Sequence, residues 1–368
     1  MNPKASKAAV LTEVGNISIQ TFPLPVIKDD DALLRVEMVG ICGSDVGMYN
    51  GKNKRNQPYY PIILGHEIVG HIEEAGELFS TRHKVRRGDR VIVEFSFGCG
   101  FCEACIAGNY RLCAEKGRYG ASISCNTKPH LWGGYSEFLY LPPRAMVHKI
   151  SSEIPAEAAV IVTAVLGNAI RWVSQKGGVS VGDTVVVEGP GPQGITSAVA
   201  AKESGAAKVI VTGLTRDLTR LKAAQMIGAD HIVLVDRQDV VGKVREITAG
   251  KMADLVIDVT GSAQAAKTAL DLLKPGGTFI MPGMYGTEVE VPLLLDKIVV
   301  NELSVLGVFS HDTGSVTPAI KVMESGKYPF EKLVTHRFDL EQAELGIQTV
   351  AGRIEGESPV KAVICPNG

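Results

Sequence analysis

The sequence predicts an α/β protein of two domains: a β-rich domain, and a doubly wound parallel-sheet domain inserted before the last strand of the first. Three observations predict it. The rhythm of the chain changes near residue 155, from short strands with a Gly or Pro every 8–12 residues to alternating strand and helix. A glycine-rich turn joins a strand to a helix at 184–194. Four cysteines within fifteen residues interrupt the β-rich part.

The elements follow in order. KAAVLTE, ALLRVEMVG, EIVGHIEEAG and DRVIVEF read as strands of an all-β unit. PAEAAVIVTAVLGNAIRWV reads as a helix, with Pro155 in its first turn. TVVVEG, KVIVTG, HIVLV, DLVIDVT and GTFIMPG are near-continuous apolar runs, as expected of parallel strands covered on both faces. Helices are expected between them at about 193–204, 216–228, 238–249 and 262–274. After 300 the pattern turns irregular, then returns to strand in SPVKAVICP. The expected domains are 1–157 completed by 304–368, and 158–303.

Composition narrows the function classes. The 368 residues are 45% apolar and 21% charged, enough to bury two ordinary cores. The net charge of −2, without a block of like charge, argues against nucleic acid or an anionic membrane as partner. No window reaches the ~18 uninterrupted apolar residues of a membrane span. The N-terminal stretch has no apolar core of signal length, and seven cysteines then point to a reducing, cytoplasmic setting.

Cys99, Cys102, Cys105 and Cys113 have the spacing C-x2-C-x2-C-x7-C. One tight loop can wrap four such thiolates around a tetrahedral zinc with no open position, a structural site. An iron–sulfur cluster uses similar spacings. In TVVVEGPGPQG, Gly189, Gly191 and Gly194 form G-x-G-x-x-G, with Pro190, Pro192 and Gln193 between them. The first glycine makes the turn, the second admits a pyrophosphate and the third lets helix and strand pack. The helix N-terminus then faces the phosphates of a dinucleotide. An NAD site places an acid at the end of the next strand. Here Gly213 is followed by Leu214, Thr215, Arg216 and Asp217. Arg216 suits a 2′-phosphate and favours NADP; Asp217 is the alternative ribose partner. GICGSD (40–45) and LGHEIVG (64–70) supply Cys42 and His66, a thiolate and an imidazole suited to zinc. Glu67 is a further candidate ligand, Asp45 a candidate to orient the imidazole and Ser44 a candidate proton carrier.

With these motifs in that order, together with GDRV (88–91) and GGYSEF (133–138), the chain resembles the zinc-containing medium-chain alcohol/polyol dehydrogenases over nearly its whole length. The resemblance implies a GroES-like catalytic domain and a Rossmann domain. It implies a catalytic zinc near Cys42 and His66, and a dinucleotide contacted also by Thr260, Gly261, Pro282 and Gly283. It puts Lys361 near the cofactor phosphate and favours a homodimer or homotetramer. The implied activity is reversible oxidation of a secondary, cyclic or polyol alcohol to a ketone or aldehyde by hydride transfer to NAD(P)+. Tyr49, Trp132, Leu166 and Phe309 are candidate pocket residues, with core packing the stronger reading for Trp132.

Two departures stand out. The segment in which such enzymes supply a third zinc ligand, AAVIVTAVLGN (158–168), holds no Cys, Asp, Glu or His; the nearest match is Val162. Glu67, or Glu157, is then left to complete the site. Gly47 stands where relatives carry a relay histidine. The missing ligand keeps open a zinc-independent reductase of activated double bonds or quinones, and a non-catalytic dinucleotide-sensing protein.

Overall fold

A computed structural model describes residues 4–52, 59–286 and 288–368. Of the stretch read for a signal, residues 1–3 lie outside the described residues. The chain divides into two compact units, Met1–Ala164 with Ile320–Gly368, and Val165–Ala319.

The first unit is β-rich. Its strands are β1 (Ala5–Glu13), β2 (Asn16–Pro23), β3 (Ala32–Gly40), β4 (Ile62–Ile63), β5 (Glu67–Ala75), β6 (Arg90–Val93), β7 (Ser96–Phe97), β8 (Gly117–Arg118), β9 (Phe138–Leu141) and β10 (Val147–Lys149). The second unit contributes β11 (Thr184–Glu188), β12 (Lys208–Gly213), β13 (His231–Leu234), β14 (Ala253–Asp258), β15 (Leu273–Met281) and β16 (Ser304–Gly307). The chain returns to the first unit with β17 (Val334–Asp339) and β18 (Lys361–Cys365).

In the first unit the sheet order is β10-β6-β5-β3-β18-β17, with β9 also on β3, beside a small sheet β2-β1-β4. The C-terminal strand therefore rejoins the β-rich unit: Val363 pairs with Gly40 and Ile364 with Val39. Leu11, Leu34, Ile62, Ile63, Ile68, Tyr119 and Tyr135 fill the core between the sheets.

The second unit is one parallel sheet in the order β13-β12-β11-β14-β15-β16. Its strands carry the five apolar runs read from sequence; Val186, Ile210, Val256 and Phe279 are fully buried. The chain steps outward in both directions from the β11/β14 pair, which makes the carboxyl ends of those strands the switch point where ligands bind such sheets. The four helices expected between its strands are Pro192–Glu203, Leu218–Ile227, Val240–Ile247 and Ala263–Leu272, and a further helix, Leu295–Val300, precedes β16.

Two expectations change. The second unit begins at Val165 and runs to Ala319, not 158–303, because β16 pairs in parallel with β15, Thr278 opposite Ser304. β16 is four residues long, the outer strand of the sheet and largely solvent-facing. The helix read after Pro155 begins as an α-turn at Ala156–Ala159 and continues as π-helix over Val162–Gly167 and Ile170–Lys176. This stretch, Ala156–Lys176, is long and apolar enough to cross a membrane by length and composition; 89% of its most apolar window is buried inside the protein.

Candidate active site and metal centres

Cys42 ends the turn after β3 and caps the helix Gly43–Tyr49. His66 precedes β5, and Glu67 is its first residue, paired with Gly40 across the ladder. The β3–β5 ladder thus brings two distant motifs together. One ligand atom each from Cys42, His66 and Glu67 lie within 4.8 Å of one another.

The neighbours fix these groups. Asp45 is buried and divides its carboxylate: Oδ2 accepts from the Cys42 backbone N–H at 2.9 Å and from the Tyr135 hydroxyl at 3.1 Å, while Oδ1 lies 3.5 Å from His66 Nδ1. That holds Nδ1 toward the carboxylate and leaves Nε2 for a metal. Burial opposes protonation of His66, but the Asp45 carboxylate outweighs it and raises the imidazole pKa well above 6.5. The His66 ring also lies 5.0 Å from Phe95. Gly65 has φ +89°, and a Cβ there would lie 2.4 Å from the Tyr135 ring. GGYSEF thus supplies Tyr135, whose backbone N–H donates to Leu64 O at 2.9 Å. Tyr135 was not singled out from sequence; a tyrosine beside a double glycine carries no metal-site signal of its own.

Glu67 is buried and ion-paired with Lys361, itself only 2% exposed. Lys361 Nζ also donates to Ile41 O at 2.9 Å. β18 lies beside β3, which places the Lys361 side chain against Glu67 and gives its ammonium a buried carboxylate partner. Gly40 makes room, since a Cβ there would lie 1.9 Å from Glu67 Oε2. Glu157 is ion-paired with Arg337, and Val162 is fully buried, so neither stands as a ligand here. Ser44 is exposed on the first turn after Cys42. Tyr49 is tied to Glu344 and Gln348, Trp132 packs in the core with its indole N–H on Thr127 O at 2.8 Å, Leu166 is buried, and Phe309 is partly exposed.

The four-cysteine loop converges as its spacing requires. All four thiols are free, with one sulfur each inside the same 4.8 Å limit; Cys99 Sγ and Cys105 Sγ are 4.0 Å apart. The backbone N–H groups of Phe101 and Cys102 lower the Cys99 pKa to about 6, whereas burial lifts Cys105 to about 12. Sulfurs held this close repel as thiolates, so the donor set fits a divalent cation.

In the second unit Gly189 has φ +107°, and a Cβ there would lie 2.6 Å from Thr260 Cγ2. Gly191 caps the helix Pro192–Glu203 and has open space where a Cβ would stand. A Cβ on Gly194 would lie 1.8 Å from Gly189 O. Each glycine has the surroundings its place in a dinucleotide turn demands. Gly213 packs against Pro190, and Gly261 with Gly283 forms a second close crossing after β14 and β15; Pro282 precedes it and Gln193 lies on the helix first turn. Asp217 Oδ2 accepts from Leu214 N at 3.2 Å and pairs with Arg220, and Asp236 Oδ1 accepts from Thr215 N at 2.9 Å. Arg216 is exposed, and Arg237 Nε donates to Thr215 Oγ1 at 3.3 Å. Beneath the turn, Glu188 and Asp258 are register partners. Asp258 accepts from Thr260 N at 2.7 Å and Tyr285 OH at 2.6 Å. Burial, then the Asp258 charge, raises the Glu188 pKa well above 4.5. Sequence reading missed this acid pair, because Glu188 falls inside an apolar strand run.

The comparisons with known proteins agree with this geometry. Residues 28–152 match the alcohol dehydrogenase GroES-like domain, and residues 192–325 the zinc-binding dehydrogenase domain. The chain belongs to the zinc-containing medium-chain dehydrogenases. A probable alcohol dehydrogenase of Mycobacterium tuberculosis is 39% identical over 98% of both chains. An erythritol/L-threitol dehydrogenase of Mycolicibacterium smegmatis is 32% identical over 99% of this chain and 98% of its own. A putative zinc-binding dehydrogenase of Sinorhizobium meliloti, solved bound to NADP, superposes with a TM-score of 0.84 at 27% identity, covering 99% of this chain and all of that one. The family's chemistry is oxidoreduction at CH–OH donors with a nicotinamide cofactor.

Proposed function

We propose that this chain reversibly oxidises a secondary, cyclic or polyol alcohol to the carbonyl, with NADP+ as the preferred acceptor. The observation that carries the reading is the convergence of Cys42, His66 and Glu67, backed by Asp45, Tyr135 and Lys361. A zinc held there supplies a Lewis acid that favours loss of the alcohol proton. Cys42 and His66 would hold it, with Glu67 as the third ligand. Lys361 offsets the Glu67 charge behind the site. Ser44 takes the hydroxyl proton. Gly189, Gly191 and Gly194 admit the pyrophosphate, with Thr260, Gly261, Pro282 and Gly283 along the same sheet edge.

The lean to NADP rests on the acids. Asp217 is turned back on its own turn and Asp236 caps Thr215, which leaves Arg216 and Arg237 as the charged groups of that edge. Either arginine can bind a 2′-phosphate. We further infer a cytoplasmic homo-oligomer; Leu294, Leu295, Val299 and Val300 are 68–79% exposed beside the free edge of β16.

The test is metal stoichiometry with turnover on a panel of alcohols. His66→Ala should hold one zinc fewer per chain and lose oxidation while still binding NADP+. Glu67→Gln should lose the same zinc to a chelator at least ~10-fold more readily. A wild type that holds only the four-cysteine zinc and reduces enones would establish the second reading, a zinc-independent reductase, which the ligand-free 158–168 segment favours.

A further inference from the structure

Among the described residues Arg118 is a cation without a counterion. It ends β8, opposite Ser96 of β7. Its backbone is fixed, the N–H donating to Ser122 Oγ at 3.0 Å. Its side chain makes no hydrogen bond or ion pair among the described residues, and Nε is buried. The one titratable group it senses is the phenol of Tyr59, while burial lowers its pKa. Residues 53–58, NKRNQP, contain no Asp or Glu that could serve it. Ser96, its cross-strand partner, likewise keeps a buried hydroxyl with no partner. Guanidinium stays charged at any pH a protein meets; Arg118 is half-buried, and a donor such as its Nε, taken from water with no partner, is costly. A native fold keeps such a group when something else completes it.

What completes it is set by where the hairpin sits. Phe95, immediately before Ser96, packs on the His66 ring, and its carbonyl accepts from Tyr119 N at 3.0 Å. Gly120, two residues after Arg118, lies against the backbone of Gly65, where a Cβ would stand 2.7 Å from Gly65 N. The segment carrying Arg118 is thus bound on both sides to residues that position the metal ligand His66. Arginine and hydroxyl donors with no local acceptor form a site for an oxyanion.

We propose that Arg118, assisted by Ser96, binds an anionic group on the substrate, so that the preferred alcohol carries a phosphate ester or a carboxylate. This rests on the dehydrogenase reading above and names the substrate class of that site. Arg118 is a specificity residue and takes no part in the hydride step.

The experiment compares kcat/KM for sorbitol against sorbitol 6-phosphate, and for 2-butanol against 3-hydroxybutyrate, with NADP+ saturating. One charged member should exceed its neutral counterpart by roughly 10- to 100-fold, the range of a hydrogen-bonded charge pair. The ratio should shrink with added salt, fall toward one in Arg118→Gln, and survive in part in Arg118→Lys. Which pair shows it separates phosphate from carboxylate. Equal or lower activity on both charged members, or an equal loss on charged and neutral members in Arg118→Gln, overturns the proposal. If that variant does not fold, the wild-type ratio and its salt dependence decide. If no alcohol is oxidised, the dehydrogenase reading fails by itself, and inorganic phosphate then tests the anion site. With NADP+ bound, phosphate should raise the Tm of the wild type and leave Arg118→Gln unmoved; no shift in the wild type overturns the site.

Discussion

Glu67 and Lys361 show how single residues bear on this site. Both are buried, and each neutralises the other. Removing one partner strands the other's charge, which typically costs about 3–5 kcal/mol. Lys361→Met should therefore lower stability by that order in denaturant unfolding. The double variant Glu67→Gln/Lys361→Met should lose clearly less than the sum of the singles. Additive losses would mean the pair is not coupled. Glu188 acts in the opposite sense. Its raised pKa keeps a proton on the folded chain that the unfolded chain sheds above about pH 4.5. Stability from this group is therefore complete below pH 4.5 and is lost as pH rises toward the folded pKa, by about 1.4 kcal/mol per unit while the difference lasts. Glu188→Gln should flatten that decline in Tm measured from pH 5 to 8. His83, lowered to about 4 by burial and then by Arg82 and His148, works on the acid side. It stays neutral when the unfolded chain gains a proton, so stability falls as pH drops from 6.5 toward 4.

At the scale of elements, the four-cysteine loop would be a staple with zinc bound. It holds only a four-residue helix, Glu103–Ile106, and a turn at Tyr110–Leu112, too little regular structure to fold unaided. A closed zinc site contributes on the order of 10 kcal/mol to such a segment. Cys102→Ser should lower zinc content by about one per chain and lower Tm; unchanged zinc would show that the loop holds none. The edge after β12 makes the second test at this scale. Arg216→Ser with Arg237→Ser should lower kcat/KM for NADP+ by at least ~10-fold and leave that for NAD+ within a few-fold, since NAD+ lacks the phosphate they would meet. An equal loss for both cofactors would place the arginines elsewhere in the chemistry.

For the whole molecule, the exposed side chains of the helix Leu295–Val300 and the unpaired edge of β16 are unusual on an isolated chain. Val299→Asp with Val300→Asp should shift the mass seen by light scattering from oligomer to monomer; a monomeric wild type would refute the inferred assembly.

Local signals determined much of this protein by themselves. The parallel strands were legible because burial on both faces writes a continuous apolar run, and the dinucleotide turn because its glycines answer steric demands within six residues. The convergence of the four cysteines was legible because one loop supplies all four sulfurs. Tertiary structure decided the rest. β16 is a short outer strand, and only its parallel pairing with β15 places it in the second unit. Lys361 is 294 residues from Glu67 in the chain, and only the antiparallel pairing of β18 with β3 brings the two together as a buried ion pair. Tyr135, Glu188 and Arg118 belong with these. Each carries an ordinary local sequence, and each has its meaning from a partner, or the lack of one, that only folding brings into reach.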